Sequence, residues 1–171
     1  EKRFFHVIEN LNITTIFPLV LYIYKSVADE TEREQCLELL ESYLVRRNIC
    51  RLTTKNYNNL FISIIKSIKE TSETTIFEAL KNTLHSYKED TNRFPEDTDV
   101  KNAFANSILS NQHAKETLYI IALYQVKTVL NDVTVLSANS FSVEHMMPKK
   151  WEENWSKLET QEEKNARNYK L

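Results

Sequence analysis

Glu144 and His145 stand side by side at the end of an apolar, strand-like run, and Met146, Met147, Pro148, Lys149 and Lys150 follow at once. Hydrolysis of a phosphodiester needs an oxygen donor for a divalent metal, which neutralises the phosphate, and a base that takes a proton from water. An adjacent carboxylate and imidazole supply both types. Lys149 and Lys150 either hold a phosphate backbone beside the pair or serve as solvated surface next to Glu152 and Glu153. Neighbours on a regular strand point to opposite faces, so Glu144 and His145 share a site only where the strand twists or ends. Pro148, with no amide hydrogen and a fixed φ, makes an ending there.

The other candidates read as structural. His6, His85 and His113 sit singly within helical patterns, as surface or satisfied core histidines do. Arg46 and Arg47 point about 100° apart on a helix, so at least one is expected to face inward and pair with a carboxylate, because an unpaired buried guanidinium is too costly. Cys36 and Cys50 on one helix lie about 21 Å apart at 1.5 Å per residue. They cannot bridge, and free thiols fit a reducing cytoplasm.

Composition bounds the chemistry further. The chain has 171 residues, 42% hydrophobic and 27% charged, the balance of one globular domain. It has no glycine, where ordinary usage gives about twelve. A phosphate-cradling P-loop, a dinucleotide fingerprint and a nucleophile elbow are therefore excluded. Codon bias and a structural cause both remain open as the reason. A formal charge of -2 gives no global attraction to nucleic acid or anionic lipid, so any phosphate contact is local. The apolar run from Ile13 to Tyr24 carries Thr14, Thr15 and Pro18 and falls short of the ~20 residues of a bilayer span. It reads as a buried helix. The chain starts on Glu1 with no signal-like segment, and is expected to be an excised piece of an intracellular protein.

The elements that must position these residues are mostly helices. Apolar residues at helical spacing mark a segment through Tyr57, Leu60, Phe61, Ile64, Ile65 and Ile68. Thr31 with Glu34, and Thr75 with Glu78, have capping-box spacing ahead of helices over about 31–51 and from 75 through Tyr87. Pro18 opens another helix that runs to about Asp29. Phe94-Pro95-Glu96-Asp97 is an extended break, after which helix resumes near Thr98. From Lys115 to Leu130 apolar positions cover most of the circumference, which predicts the central, most buried helix. After Asn131 the spacing of Val133, Val135, Leu136, Phe141, Val143 and His145 turns to period two, so strand is expected there. Trp151 and Trp155 lie four apart, as on one face of a short helix, and the charged tail from Glu159 looks too polar to close the unit.

Four segments together resemble a known family. FPLVLYIYKS from Phe17, LESYLVRRNICRLTTKNYNNLF from Leu40, FPEDTDVKNAF from Phe94 and SVEHMMPKKWEENW from Ser142 are similar in order and spacing to the C-terminal half of GmrSD-type restriction endonucleases. The resemblance implies a helical region leading into a His-Me finger (HNH-like, ββα-metal) nuclease that cuts DNA, including modified phage DNA, downstream of a nucleotide-hydrolysing domain. It implies His145 as general base, Glu144 as metal ligand and a divalent metal, Mg or Mn, in the complete protein. The family often has glycine where Arg51 stands and Gln where Lys149 stands. It continues, about where this chain stops, into a GNLTLL-like strand and a helix whose Asn completes the metal site.

The expected architecture is mainly α: a helical bundle over 1–132, then over 133–171 the first strand or hairpin of an incomplete ββα-metal unit. The expected function is that of a fragment of a metal-dependent DNA endonuclease, inactive and metal-free alone. The rival is a non-catalytic helical interaction module that links a nucleotide-hydrolysing domain to a downstream one.

Overall fold

A computed structural model describes residues 2–71, 75–106, 109–126, 140–144, 150–153 and 155–169. The fold is mainly helical, with α1 (Lys2–Leu11), α2 (Phe17–Ser26), α3 (Glu30–Ile49), α4 (Tyr57–Glu70), α5 (Ile76–Ser86), α6 (Asp97–Asn106), α7 (Asn111–Val126) and α8 (Gln161–Tyr169). No helix among the described residues is long and apolar enough to cross a membrane.

Helical periodicity becomes core directly. Tyr57, Leu60, Phe61, Ile64 and Ile68 of α4 are all buried, and they meet Ala79, Leu80 and Leu84 of α5. Thr75 caps α5 as its spacing predicts, its hydroxyl accepting the Glu78 N–H at 3.2 Å. Helix α2 buries only one face, Leu19, Val20 and Ile23, while Leu21 is exposed. The apolar cluster draws on residues from Phe4 to Leu84, and α6 and α7 pack against helices that build it.

Two expectations need correction. The cap of α3 is Asp29, whose carboxylate accepts the Glu32 N–H at 2.7 Å, rather than Thr31; a carboxylate at the positive end of a 20-residue helix is favoured by its dipole. The central helix is α3, which packs against α1, α2, α5, α6 and α7. Helix α7 leaves Leu118 55% and Tyr124 63% exposed, because only one of its faces meets the bundle. The strand expected after 132 falls largely on residues 133–139 and His145, which lie outside the described ones; the described residues 140–144 are irregular.

Without glycine, two helices still end in left-handed residues. Asn12 has φ 52° and Arg51 φ 54°. Behind each stands a Schellman pair: Ile13 N–H to Ile8 O and Asn12 N–H to Glu9 O, both 3.1 Å, and Leu52 N–H to Arg47 O at 2.9 Å with Arg51 N–H to Asn48 O at 3.0 Å. Asn tolerates this conformation, whereas a Cβ on Arg51 meets the following carbonyl at a cost of roughly 1–2 kcal/mol. Arg51→Gly is therefore expected to stabilise the chain by about 1 kcal/mol and to raise its thermal midpoint by roughly 2–4 °C. An unchanged or lower midpoint by circular dichroism would show that Arg51 carries compensating contacts.

Candidate active site

Of the residues singled out for chemistry, His145 and Lys149 lie outside the described residues. Glu144 and Lys150 are both exposed. The Ser142 hydroxyl approaches Glu144 Oε1 at 3.5 Å, too long for a strong bond, which leaves the carboxylate accessible as a hard oxygen donor of the kind that suits Mg or Mn. That chemistry fits a divalent metal. No group of three His, Cys, Asp or Glu residues among the described ones forms a metal cluster.

Two contacts hold the flanks of this segment. Upstream, the Phe141 ring lies 6.0 Å from that of Tyr119 on α7. Downstream, Trp151 opens a 3-10 turn (Trp151–Glu153) and is 1% exposed. Its indole N–H donates to Asn168 Oδ1 at 2.7 Å, the Arg167 guanidinium lies 4.6 Å above its ring, and Arg167 also donates to Ser156 O at 2.9 Å. The charged tail thus folds back as α8 over Trp151. Trp155, by contrast, is 44% exposed, so the two tryptophans do not share a buried face. Asn168→Ala would leave a buried donor unpaired, which costs about 1–3 kcal/mol. In a Trp155→Phe background it is expected to red-shift Trp151 emission and raise its quenching by acrylamide; unchanged quenching would rule out the latch.

The best-formed polar cluster lies where the arginine pair meets the loop before α6. Arg47 is fully buried, and its partners among the described residues are neutral oxygens. Nε donates to the Tyr57 hydroxyl at 3.1 Å, Nη1 to Arg93 O at 3.0 Å, and Nη2 to Thr53 O at 2.7 Å and to Asp90 O and Thr91 O at 3.1 Å. The Tyr43 and Tyr57 rings sit within 5.4 and 5.5 Å of it. Arg47 does face inward, but carbonyls, not the expected carboxylate, satisfy it; a five-donor fork matches several carbonyls of a turning backbone where one carboxylate would use two donors. Arg46 takes the carboxylate instead, pairing with Asp97 at 2.6 Å, donating to Pro95 O at 3.1 Å and lying 5.7 Å over Phe94. Tyr43 completes the grip by donating to Asn92 O at 2.7 Å. Burial pushes the Tyr43 hydroxyl well above the usual phenol range and raises that of Tyr57 as well, against the opposing pull of Arg47.

At the start of α6, Asp99 accepts the Glu96 N–H at 2.9 Å and Arg93 Nη1 at 2.7 Å. Those bonds, the backbone one first, hold its carboxyl below the ordinary range. Two segments quoted for the family resemblance, one on α3 and the other running from Phe94, are therefore one physical unit. No sequence pattern pointed to Asn168 or to the polar partners of Tyr43 and Trp151, because those partners are distant backbone or amide groups.

Residues 94–170 match the family model described as GmrSD restriction endonucleases, C-terminal domain, which supports the resemblance over that region. The match opens at the gripped loop and runs through the segment of Glu144, His145 and Pro148 to α8. No curated protein and no solved structure matches the chain.

Proposed function

We propose that the chain is the helical region and the beginning of the catalytic unit of a metal-dependent DNA endonuclease of the GmrSD restriction type. One observation carries the reading: the stretch matching that family contains Glu144, His145 and Pro148 in order, with Trp151 and α8 seating their downstream flank. Glu144 would hold Mg or Mn through its exposed carboxylate, and the bound metal supplies charge neutralisation at the scissile phosphate. His145 takes the proton of the attacking water at a ring nitrogen. Lys149 and Lys150 hold the DNA backbone beside them.

On this reading residues 1–132 form a helical domain and 133–171 the first part of a His-Me finger, in a cytoplasmic protein. A nucleotide-hydrolysing domain lies upstream. The chain by itself is inactive, since Glu144 and His145 without a further ligand are too few to keep a metal that retains its waters readily.

The non-catalytic interaction module draws support from one fact: among the described residues the main buried apolar cluster lies within residues 4–84, outside the family match. The deciding experiment is cleavage of plasmid and phage DNA by the full-length protein with Mg²⁺ or Mn²⁺, with and without chelator, in wild type and His145→Ala. Chelator-sensitive cleavage that is lost in the variant supports the nuclease; cleavage unaffected by the variant leaves the interaction module.

A further inference from the structure

Helix α2 buries Leu19, Val20 and Ile23 and presents a second apolar stripe to solvent. Phe17, Leu21 and Tyr24 stand at i, i+4 and i+7, a line ~10 Å long at 1.5 Å per residue, and all three are exposed, Leu21 to 67%. Single exposed apolar residues are ordinary, but a group of them on one face marks an interaction site. Helix α4 packs beside α2. Its Lys69 Nζ lies 5.3 Å from the centre of the Tyr22 ring, and exposed Ile62, two turns earlier, belongs to the same face of α4 as Lys69.

The charges around the stripe have one sign. Arg33 of α3 lies 5.2 Å over the Tyr24 ring. Tyr22 and Tyr24 point about 200° apart around α2, so Lys69 and Arg33 stand on opposite sides of the stripe, and Lys25 is exposed beside it. Helices α2 and α4 together carry three lysines, Lys25, Lys66 and Lys69, against one acid, Glu70, in a chain whose net charge is -2. The nearest acids along the chain are Asp29, committed to capping α3, and Glu30 after it. Pairing of the stripe with its own copy would set cations against cations, which is unfavourable. We infer that this face docks an acidic amphipathic helix of a protein partner, whose apolar residues cover Phe17, Leu21 and Tyr24 and whose carboxylates meet Lys25, Lys69 and Arg33. The surface is separate from Glu144 and His145 and does not depend on their role.

The test is selection from a displayed library of helix-forming peptides, about four turns long, against the intact chain. Enriched peptides should carry apolar residues at helical spacing, with Asp and Glu outnumbering Lys and Arg. By fluorescence anisotropy, their affinity should fall at least tenfold in Leu21→Asp, where an apolar contact is lost. It should fall at least tenfold in the double variant Lys25→Glu, Lys69→Glu as well, and in the wild type it should weaken as salt rises. All three positions are exposed, and thermal unfolding checks that the variants stay folded. A peptide with its acids changed to lysine should regain binding to the charge-reversed chain. The proposal is overturned if no peptide is enriched, if the enriched peptides are basic or lack the apolar pattern, or if affinity is indifferent to both variants. It is equally overturned if Leu21→Asp abolishes self-association of the chain, or its binding to a short oligodeoxynucleotide or to phosphatidylserine vesicles, since the face then belongs to that occupant.

Discussion

Arg47→Ala is expected to lower the unfolding free energy of the chain by about 3–5 kcal/mol, the range found when one partner of a buried charged network is removed. The guanidinium is the shared donor for the Tyr57 hydroxyl and for carbonyls of Thr53, Asp90, Thr91 and Arg93. Its loss leaves acceptors from three separate segments without partners in the protein interior. For a chain of this size the thermal midpoint should fall by on the order of 10 °C. Arg47→Lys should recover little, because an ammonium lacks the planar fork that spans several carbonyls. Urea unfolding followed by circular dichroism measures both. An Arg47→Met variant within about 1 kcal/mol of wild type would show that the pocket collapses well without the charge, and that the network contributes specificity and not stability.

In the full-length protein, His145→Ala should reduce metal-dependent DNA cleavage by ~10²- to 10⁴-fold, the usual contribution of a positioned general base. The thermal midpoint should stay within a degree or two of wild type if His145 serves the chemistry and not the packing, since the main buried apolar cluster among the described residues lies within residues 4–84. Glu144→Ala should instead shift the metal concentration needed for half-maximal rate upward, and partial rescue by raising Mn²⁺ would separate a lost ligand from a lost fold. The two variants fail in different ways if the reading is right. Equal loss in both with unaltered metal dependence would remove Glu144 from the metal.

Much of the fold could be read from the sequence where side chains interact with near neighbours. Helices α4 and α5 are legible because Tyr57, Leu60, Phe61, Ile64 and Ile68 repeat at helical spacing and Thr75 announces its cap three residues ahead. The start of α3 was misplaced by two residues because Asp29 and Thr31 both have a cap's chemistry, and the choice depends on where the backbone leaves Val27. The centrality of α3 was hidden: charged residues break its apolar pattern, yet Arg47 and Glu41 are buried by partners far along the chain. Helix α7 misled in the opposite way, since apolar residues all round a helix signal burial only if the rest of the bundle surrounds it. Of the site, the sequence supplied the residue types at Glu144 and His145, while the indole N–H of Trp151 met Asn168 across a separation that no periodicity encodes.

The grip of α3 on the loop before α6 bears on how such proteins can be cut and rejoined. Residues 94–170 look like an exchangeable cassette when judged by the family they match. A splice at Phe94, however, separates Arg46 from Pro95 and Asp97, and divides the loop that Tyr43 and Arg47 hold at Asn92 and Arg93. A recombinant that brings in a foreign cassette at that joint inherits a buried cation shaped to someone else's carbonyls. Chimaeras should therefore tolerate crossovers best upstream of α1, or only where donor and recipient share the tyrosine and both arginines of α3, so that the bundle and its C-terminal extension are exchanged together.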